Sequence, residues 1–337
     1  MGRNKFHSYY DDCFDVTKLK VKLFVIGYGL FGESILILFL NENVVFYSIV
    51  IDSYHYKNGK KREGPYINKT IDLLKKYKVE NLNILCWTHP HDDHSKGIPR
   101  LIKHYCNSGT KILYPMYLQN NATDIVEYGD TSKQNIESIH IANREKRGQA
   151  TPIGLAGNSE YVVDEFYVLD SYSSDMIATV RVDALTPISS KLTEYLNYGK
   201  CKDPNELSIT LVVDINGYGF YFGGDATNEH INLSKRSRIR HCKFVKIPHH
   251  ASRTAKDLVN YLPATLCGIC TTVFKKGKSN LPDKEIIALY RSYGVDIYST
   301  NKLKRDDVAY GIIEYNCDFS AGIPEMDVRD DGISGVI

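Results

Sequence analysis

The sequence lacks the features that mark several classes of protein. Its eight cysteines in 337 residues are scattered and too few for a disulfide framework, which predicts reduced thiols and a cytoplasmic location. Its polar start is unlike a signal peptide, and no apolar run reaches the roughly 18 residues of a membrane span. Its formal net charge of +2 excludes a strong global field that would attract nucleic acid or an acidic membrane. A local basic groove remains compatible with that total.

The sequence does contain a pattern of short strands and helices. Hydrophobic residues make up 43% and charged residues 24%, close to the globular averages of about 45–50% and 25%. Strand patterns at residues 21–26, 34–40 and 44–51 precede a helix pattern at residues 66–78. Two such strand-rich halves, each with helices, predict one layered α/β domain.

The domain limits follow from the same pattern. We expect an N-terminal extension at residues 1–20, the domain at residues 21–322 and a flexible tail at residues 323–337. Residues 106–160 mix polar residues and show no sustained period. They are therefore interpreted as a long insertion, with the role of a lid.

Residues 88–94, with the sequence THPHDDH, are the most informative segment. They follow a predicted strand, and three histidines with two aspartates are costly there as packing residues. A sharp turn would aim these side chains into one small volume. Imidazole and carboxylate groups suit zinc, and a ligand set containing oxygen also admits manganese. We expect His89 and His91 to hold one ion, and Asp93 and His94 to hold a second.

This HxHxDH segment resembles the signature of the metallo-β-lactamase superfamily. Residues 223–227 (GGDAT) are similar to the family's bridging-aspartate motif, and residues 246–252 (KIPHHAS) to its HHGS-type motif. Residues 27–52 and 205–209 also match the ComEC-like branch, which is related to a DNA-uptake protein. The resemblance covers about residues 21–300. It implies an α/β fold with a four-layer αββα metallo-β-lactamase sandwich.

The resemblance also implies a set of site residues. Two divalent ions, Zn²⁺ or Mn²⁺, would be bound, with a single ion as the alternative. Asp225 would bridge the ions, and either of the adjacent imidazoles at positions 249 and 250 could be the last ligand. The implied metal ligands are His89, His91, Asp93, His94, Asp225 and His249, and the implied catalytic groups are Asp93 and His250.

Other candidates come from single residues. Asp52, at a strand end, is expected to orient a metal-bound imidazole. Ser252 is either a substrate contact or a helix N-cap. Lys275 and Lys276 are either phosphate contacts or part of a solvated face. The 25 tyrosines offer either stacking surfaces for single strands or half-buried packing.

Three departures from the family pattern concern the same site. Leu281 stands before a proline where the ComEC-like branch often shows a histidine. No histidine stands before residues 186–187 (Thr-Pro), where many members of the superfamily carry another ligand. Ala251 replaces the glycine of the HHGS motif. A one-metal or inactive member therefore stays an alternative.

The leading hypothesis for function is a metal-dependent phosphodiesterase, specifically a nuclease that acts on nucleic acid. A second hypothesis keeps the metals and assigns hydrolysis of a small ester, a lactone or a cyclic nucleotide. A third makes the chain a non-catalytic, metal-stabilised partner in a larger complex, for example in defence. A protein partner or a second copy of the chain fits each of these, and a membrane fits none.

Overall fold

The computed structural model describes residues 12–57, 66–116, 130–144, 150–157, 160–198, 203–302, 310–319 and 324–337. In chain order, its strands are β1 (Asp12–Val16), β2 (Leu19–Gly27), β3 (Glu33–Asn41), β4 (Val44–Ile51), β5 (Tyr56–Lys57), β6 (Tyr66–Ile67), β7 (Ile84–Cys86), β8 (Lys111–Pro115), β9 (Thr151–Leu155), β10 (Tyr161–Asp170), β11 (Met176–Ala184), β12 (Leu211–Ile215), β13 (Tyr218–Phe222), β14 (Cys242–Lys246), β15 (Gly268–Thr271), β16 (Phe274–Lys276), β17 (Ser279–Leu281), β18 (Ile297–Ser299), β19 (Gly311–Asp318), β20 (Glu325–Gly332) and β21 (Gly335–Val336). Its α-helices are α1 (Lys69–Lys76), α2 (Asp92–Ser95), α3 (Ile98–Tyr105), α4 (Asp130–Arg144), α5 (Ser189–Tyr198), α6 (Asn228–Leu233), α7 (Arg236–Ile239) and α8 (Lys284–Arg291). Its 3₁₀ helices are Pro204–Leu207, His249–Ala251 and Arg253–Asn260.

Most strands belong to two large mixed sheets. The eight-stranded sheet has the order β20-β19-β2-β3-β4-β7-β8-β9, and the nine-stranded sheet has the order β1-β10-β11-β12-β13-β14-β15-β18-β21. The remaining strands form two small ladders, β5–β6 and β16–β17. The mixed α/β class expected from the sequence is confirmed.

The two sheets face each other, and helices cover their outer faces. Along β3, Ile37 and Phe39 point into a core shared with the nine-stranded sheet. Leu36 and Leu38 point the other way, into a core with α1, α3 and α4. This alternation follows from the two-residue period of a strand. A third core joins the nine-stranded sheet to α6, α7 and α8, so the layers run helix, sheet, sheet, helix.

The topology gathers the polar strand ends at one edge of the sandwich. Strands β4 and β7 are parallel, as are β13, β14 and β15. Parallel neighbours place their carboxyl ends together, where α/β folds hold their ligands. The residues that follow these strands at that edge are Asp52, the segment 89–94, Asp225, His250 and Thr272.

The predicted insertion at residues 106–160 is part of the fold where the structure describes it. β8 and β9 pair in parallel at one edge of the eight-stranded sheet. Ile139 and Ala142 of α4 are buried in the outer core. Because β8 and β9 belong to a main sheet and α4 packs into a core, these parts are not a lid. Residues 117–129 and 145–149 lie outside the described residues.

The prediction of a flexible tail at residues 323–337 is wrong for its described part. β20 pairs antiparallel with the whole of β19, and β21 pairs with β18. The sequence of β20, EMDVRDDG, is mostly exposed, as suits the outermost strand of a sheet. Because its residues are mostly polar, the strand lacks the alternating hydrophobic pattern by which strands are predicted from sequence. β1 likewise adds an edge strand within the predicted N-terminal extension.

Two further absences concern the described part of the chain. No helix there is long and apolar enough to cross a membrane. No disulfide joins the cysteines of these residues, in line with their scattered spacing.

His230 of α6 is a buried histidine in the outer layer. Its side chain has no exposed area, and neither ring nitrogen has a hydrogen-bond partner among the described residues. Burial lowers the pKa of His230 from 6.5 to about 4, because the charged imidazolium would lose its hydration.

This burial predicts a pH-dependent stability. Between pH 6.5 and about pH 4 the unfolded chain takes up a proton on this imidazole, whereas the folded protein does not. The free energy of unfolding therefore falls as the pH is lowered through this window, by up to about 3 kcal/mol. Urea unfolding of the wild type and His230→Leu across pH 4–7 measures this difference. Parallel pH profiles for the two proteins would contradict it.

Candidate metal centre

Four buried side chains converge at the edge where the strand ends meet. The Nε2 atom of His94 lies 3.4 Å from Asp93 Oδ2 and 3.5 Å from Asp225 Oδ1. The Nε2 atom of His250 lies 3.3 Å from Asp93 Oδ2 and 3.6 Å from Asp225 Oδ2. Each carboxylate thus faces both imidazoles, and all four side chains are almost fully buried.

These separations fit a single divalent cation. Zinc bonds of about 2.0–2.2 Å to nitrogen and oxygen place tetrahedral ligand atoms about 3.3–3.6 Å apart. His94 Nε2, Asp225 Oδ1 and His250 Nε2 are also buried without a hydrogen-bond partner among the described residues. Orphaned buried polar atoms each cost about 1–3 kcal/mol. A bound cation would satisfy all three, so this donor set fits Zn²⁺ or Mn²⁺.

A second ligand group shares Asp225. The Nε2 atom of His89 lies 3.7 Å from Asp225 Oδ2 and 3.1 Å from His91 Nδ1. Ligand atoms of His89, His94 and Asp225 all lie within 4.8 Å of one another. Asp225 therefore stands between the two groups, where its two oxygens could serve two ions. This group offers fewer donors than the first.

The structure brings His250, rather than the predicted ligand His249, against the carboxylates. His249 is only partly buried. Its Nδ1 atom lies 2.7 Å from the Thr254 hydroxyl and its Nε2 atom 3.2 Å from Asn205 Nδ2. Of the two imidazoles that the sequence left open, His250 is therefore the one that faces the carboxylates, because the local backbone decides which ring turns inward.

That backbone is strained. His249, His250 and Ala251 have φ values of 49°, 52° and 59°, and Asp52 has a φ of 57°. A left-handed residue other than glycine costs roughly 1–2 kcal/mol. Such conformations persist where the surrounding structure fixes them, which is typical of functional sites.

Asp52 orients two imidazoles from behind. Its Oδ2 atom lies 2.7 Å from His94 Nδ1 and accepts the Thr88 hydroxyl proton at 2.7 Å. The same hydroxyl oxygen lies 2.9 Å from His89 Nδ1. A proton on each Nδ1 atom leaves each Nε2 atom as the acceptor for a cation. The structure thus places Asp52 where the sequence analysis expected an orienting carboxylate.

A carboxylate and a hydroxyl also contact the Nδ1 side of His250, and the sequence analysis did not predict them. His250 Nδ1 lies 2.8 Å from the Thr272 hydroxyl oxygen, and this hydroxyl donates to Glu33 Oε2 at 2.5 Å. Glu33 Oε1 lies 2.6 Å from Lys246 Nζ, with both side chains fully buried. Since Lys246 neutralises Glu33 and Glu33 faces the Nδ1 side of His250, Glu33 is assigned to positioning rather than to metal binding.

A sequence signal for this arrangement exists. Glu33 opens strand β3, whose residues 35–40 are all apolar, and Lys246 ends strand β14 directly after the apolar Phe244 and Val245. Charged residues are rarely fully buried unless they are paired. Opposite charges beside apolar residues of two strands therefore indicate an ion pair.

The electrostatics of the pocket favour positive charge. Burial alone would raise the pKa values of Asp93 and Asp225, but His94 and His250 hold both well below their ordinary range. Burial holds the pKa of His89 well below its ordinary value. Burial alone would lower the pKa of His94, but Asp225, Asp93 and Asp52 hold it well above its ordinary value. A divalent cation at these carboxylates would therefore take the place of a proton on the His94 ring.

The predicted substrate contacts lie at the rim. Ser252 accepts hydrogen bonds from the Thr254 backbone and hydroxyl groups and so caps the following 3₁₀ helix. Lys275 and Lys276 are exposed on β16. Phe274, the first residue of β16, stacks on the His250 ring with centroids 5.2 Å apart. The hairpin that carries both lysines is therefore packed directly on the pocket.

The adjacent histidines provide a direct test of ligand identity. We expect His250→Ala to weaken Zn²⁺ binding by more than the roughly 10–100-fold loss caused by removing an outer hydrogen-bond partner. His249→Ala should keep most of the affinity, because its ring faces Asn205 and Thr254. Competitive titration with a chromogenic chelator measures both affinities. Equal losses in the two variants would contradict the assignment.

The Thr272 hydroxyl provides a second test. Thr272→Val keeps the side-chain shape but removes the contact to His250, and we expect Zn²⁺ affinity to fall about 10–100-fold. Thr271→Val is the matched control, because this equally buried hydroxyl only donates to a backbone carbonyl. An unchanged Zn²⁺ affinity in Thr272→Val would contradict the positioning role assigned to Glu33 and Thr272.

Comparisons with known proteins add little to this geometry. No family model matches the chain, and no curated protein matches it. The chain is similar to one solved structure of a protein from Parabacteroides distasonis, which is described provisionally as a metal-dependent hydrolase. It is 15% identical, with 79% of this chain and 88% of that chain covered and a TM-score of 0.35. At that TM-score the likeness carries no argument, so the assignments rest on this chain's own residues.

Proposed function

We propose that this chain is a metal-dependent hydrolase of the metallo-β-lactamase superfamily and cleaves phosphodiester bonds. The observation that carries the proposal is the convergence of Asp93, His94, Asp225 and His250 with spacings that suit a divalent cation. The HxHxDH segment and the two facing sheets with helices outside support it. His89, His91 and Asp225 would hold a second ion.

The chemistry divides between the cations and the chain. Bound divalent ions lower the pKa of water and stabilise charge on a phosphoryl group. Asp93 uses Oδ2 for both imidazoles, which leaves Oδ1 to accept the proton of the attacking water. Asp52, Thr88, Thr272 and Glu33 hold the ligating rings in orientation.

The substrate class is inferred from the rim of the pocket. Lys275 and Lys276 lie on the hairpin that packs on His250 through Phe274. Exposed ammonium groups beside a metal pocket suit the phosphates that flank a scissile bond. A nucleic acid is therefore the proposed substrate.

A substrate panel tests this function. Metal-loaded protein should hydrolyse bis-p-nitrophenyl phosphate and at least one of single-stranded DNA, duplex DNA and RNA. Asp93→Asn should lower kcat by about 10²–10⁴-fold, because it removes a general base. Asp72→Asn, an exposed carboxylate on α1, is the matched control and should keep the wild-type rate.

The other outcomes of this panel are also decisive. Cleavage of the small diester without cleavage of any polymer would contradict the nuclease assignment and favour a small substrate. Bound metal with no hydrolysis in any assay would contradict the enzymatic proposal and favour a non-catalytic, metal-stabilised partner.

A further inference from the structure

A cavity lies beside the candidate metal centre, and none of its lining residues is a proposed metal ligand. Its volume is about 500 Å³, within the range of about 300–1,000 Å³ that is typical of small-molecule sites. We call it the aromatic cavity, and its lining residues are Tyr54, His55, Tyr56, Tyr66, Lys96, Thr131 and Gln134.

The cavity is tied to the metal centre through the backbone. Ser53 lies between the orienting Asp52 and the cavity residue Tyr54. Its amide donates to the His94 carbonyl at 3.1 Å, and its carbonyl accepts from the Gly97 amide at 2.8 Å. These bonds hold Tyr54 and Lys96 at a fixed position relative to the ligand His94.

A row of rings also joins the two sites. The His250 ring stacks on Phe274, with centroids 5.2 Å apart. Phe274 lies 5.4 Å from Phe31, and Phe31 lies 5.6 Å from Tyr54. The packed rings therefore connect the His250 ring with Tyr54, a lining residue of the cavity.

Two ammonium groups lie over this row. Lys96 Nζ lies 5.7 Å from the Phe31 centroid and 5.4 Å from the Tyr54 centroid. Lys276 Nζ lies 5.1 Å from the Phe31 centroid. Asp92 Oδ2 lies 3.6 Å from Lys96 Nζ, and because both side chains are partly exposed it offsets only part of the lysine's charge. Positive charge is thus placed between the cavity and the metal ligands.

We propose that the aromatic cavity binds one unpaired nucleobase of the substrate, while Lys96 and Lys276 contact the phosphate on its metal side. Aromatic side chains bind a base by stacking, which is tolerant of sequence and requires a base free of its partner strand. Of the lining rings, Tyr66 is 51% exposed and can take this contact. The Gln134 amide and the Thr131 hydroxyl supply polar contacts for its edge. The inference rests on the proposed phosphodiesterase function and specifies its substrate as single-stranded nucleic acid.

Calorimetric titration of the full chain tests the cavity directly. Adenosine 5′-monophosphate and ribose 5-phosphate carry the same phosphate and differ in the base. We expect the nucleotide to bind at least about fivefold more tightly, from the usual size of base–aromatic stacking. Equal affinities would overturn the proposal, because binding would then depend on the phosphate alone.

Variants at Tyr66 locate the binding. This ring is 51% exposed, so its loss should not unfold the domain. Tyr66→Ala should remove most of the preference for the nucleotide, and Tyr66→Phe should retain it. Tyr172→Ala, at a ring that is 87% exposed outside the cavity, is the matched control. Full preference in Tyr66→Ala would overturn the assignment to this cavity.

Hydrolysis of bis-p-nitrophenyl phosphate by the wild type separates the two proposals. Base-dependent binding without hydrolysis would support the cavity and contradict the proposed function. Hydrolysis without base-dependent binding would support the function and overturn the cavity.

Discussion

The candidate site depends on a cluster of buried carboxylates and imidazoles whose ligand atoms converge on one small volume. Asp93 and Asp225 face His94 and His250 inside the protein, and several of their atoms have no hydrogen-bond partner in the described part of the chain. Burying such groups unpaired is expensive. The spacing of their ligand atoms suits one divalent ion, and such an ion would offset this cost.

The surroundings of the cluster hold it in place from both sheets. Asp52 ends a strand of the eight-stranded sheet and orients His94 directly. Glu33 opens a neighbouring strand of that sheet. Its partners Lys246 and Thr272 lie at the carboxyl ends of β14 and β15 in the nine-stranded sheet. The buried Glu33–Lys246 pair therefore joins the two sheets at the metal centre. The left-handed turn at residues 249–251 is fixed within this frame.

Much of the site could be predicted because residue type and strand ends carry the information. The HxHxDH segment could be predicted from its residue types at the end of a strand, whereas Asp225 was implied by the resemblance to a known family. The two lie at the ends of strands in different sheets, and the facing of the two sheets brings them together. The choice between His249 and His250 could not be predicted, since it depends on left-handed φ values that the sequence does not encode locally. The edge strand β20 was missed because its exposed residues lack a hydrophobic pattern.

The central claim is that this cluster binds a divalent cation. Anomalous diffraction at the zinc absorption edge, from crystals of the protein grown with Zn²⁺, tests it most directly. The account predicts a peak about 2.0–2.2 Å from His94 Nε2, His250 Nε2 and an oxygen each of Asp93 and Asp225. A fully loaded crystal with no anomalous peak among these four side chains would contradict it.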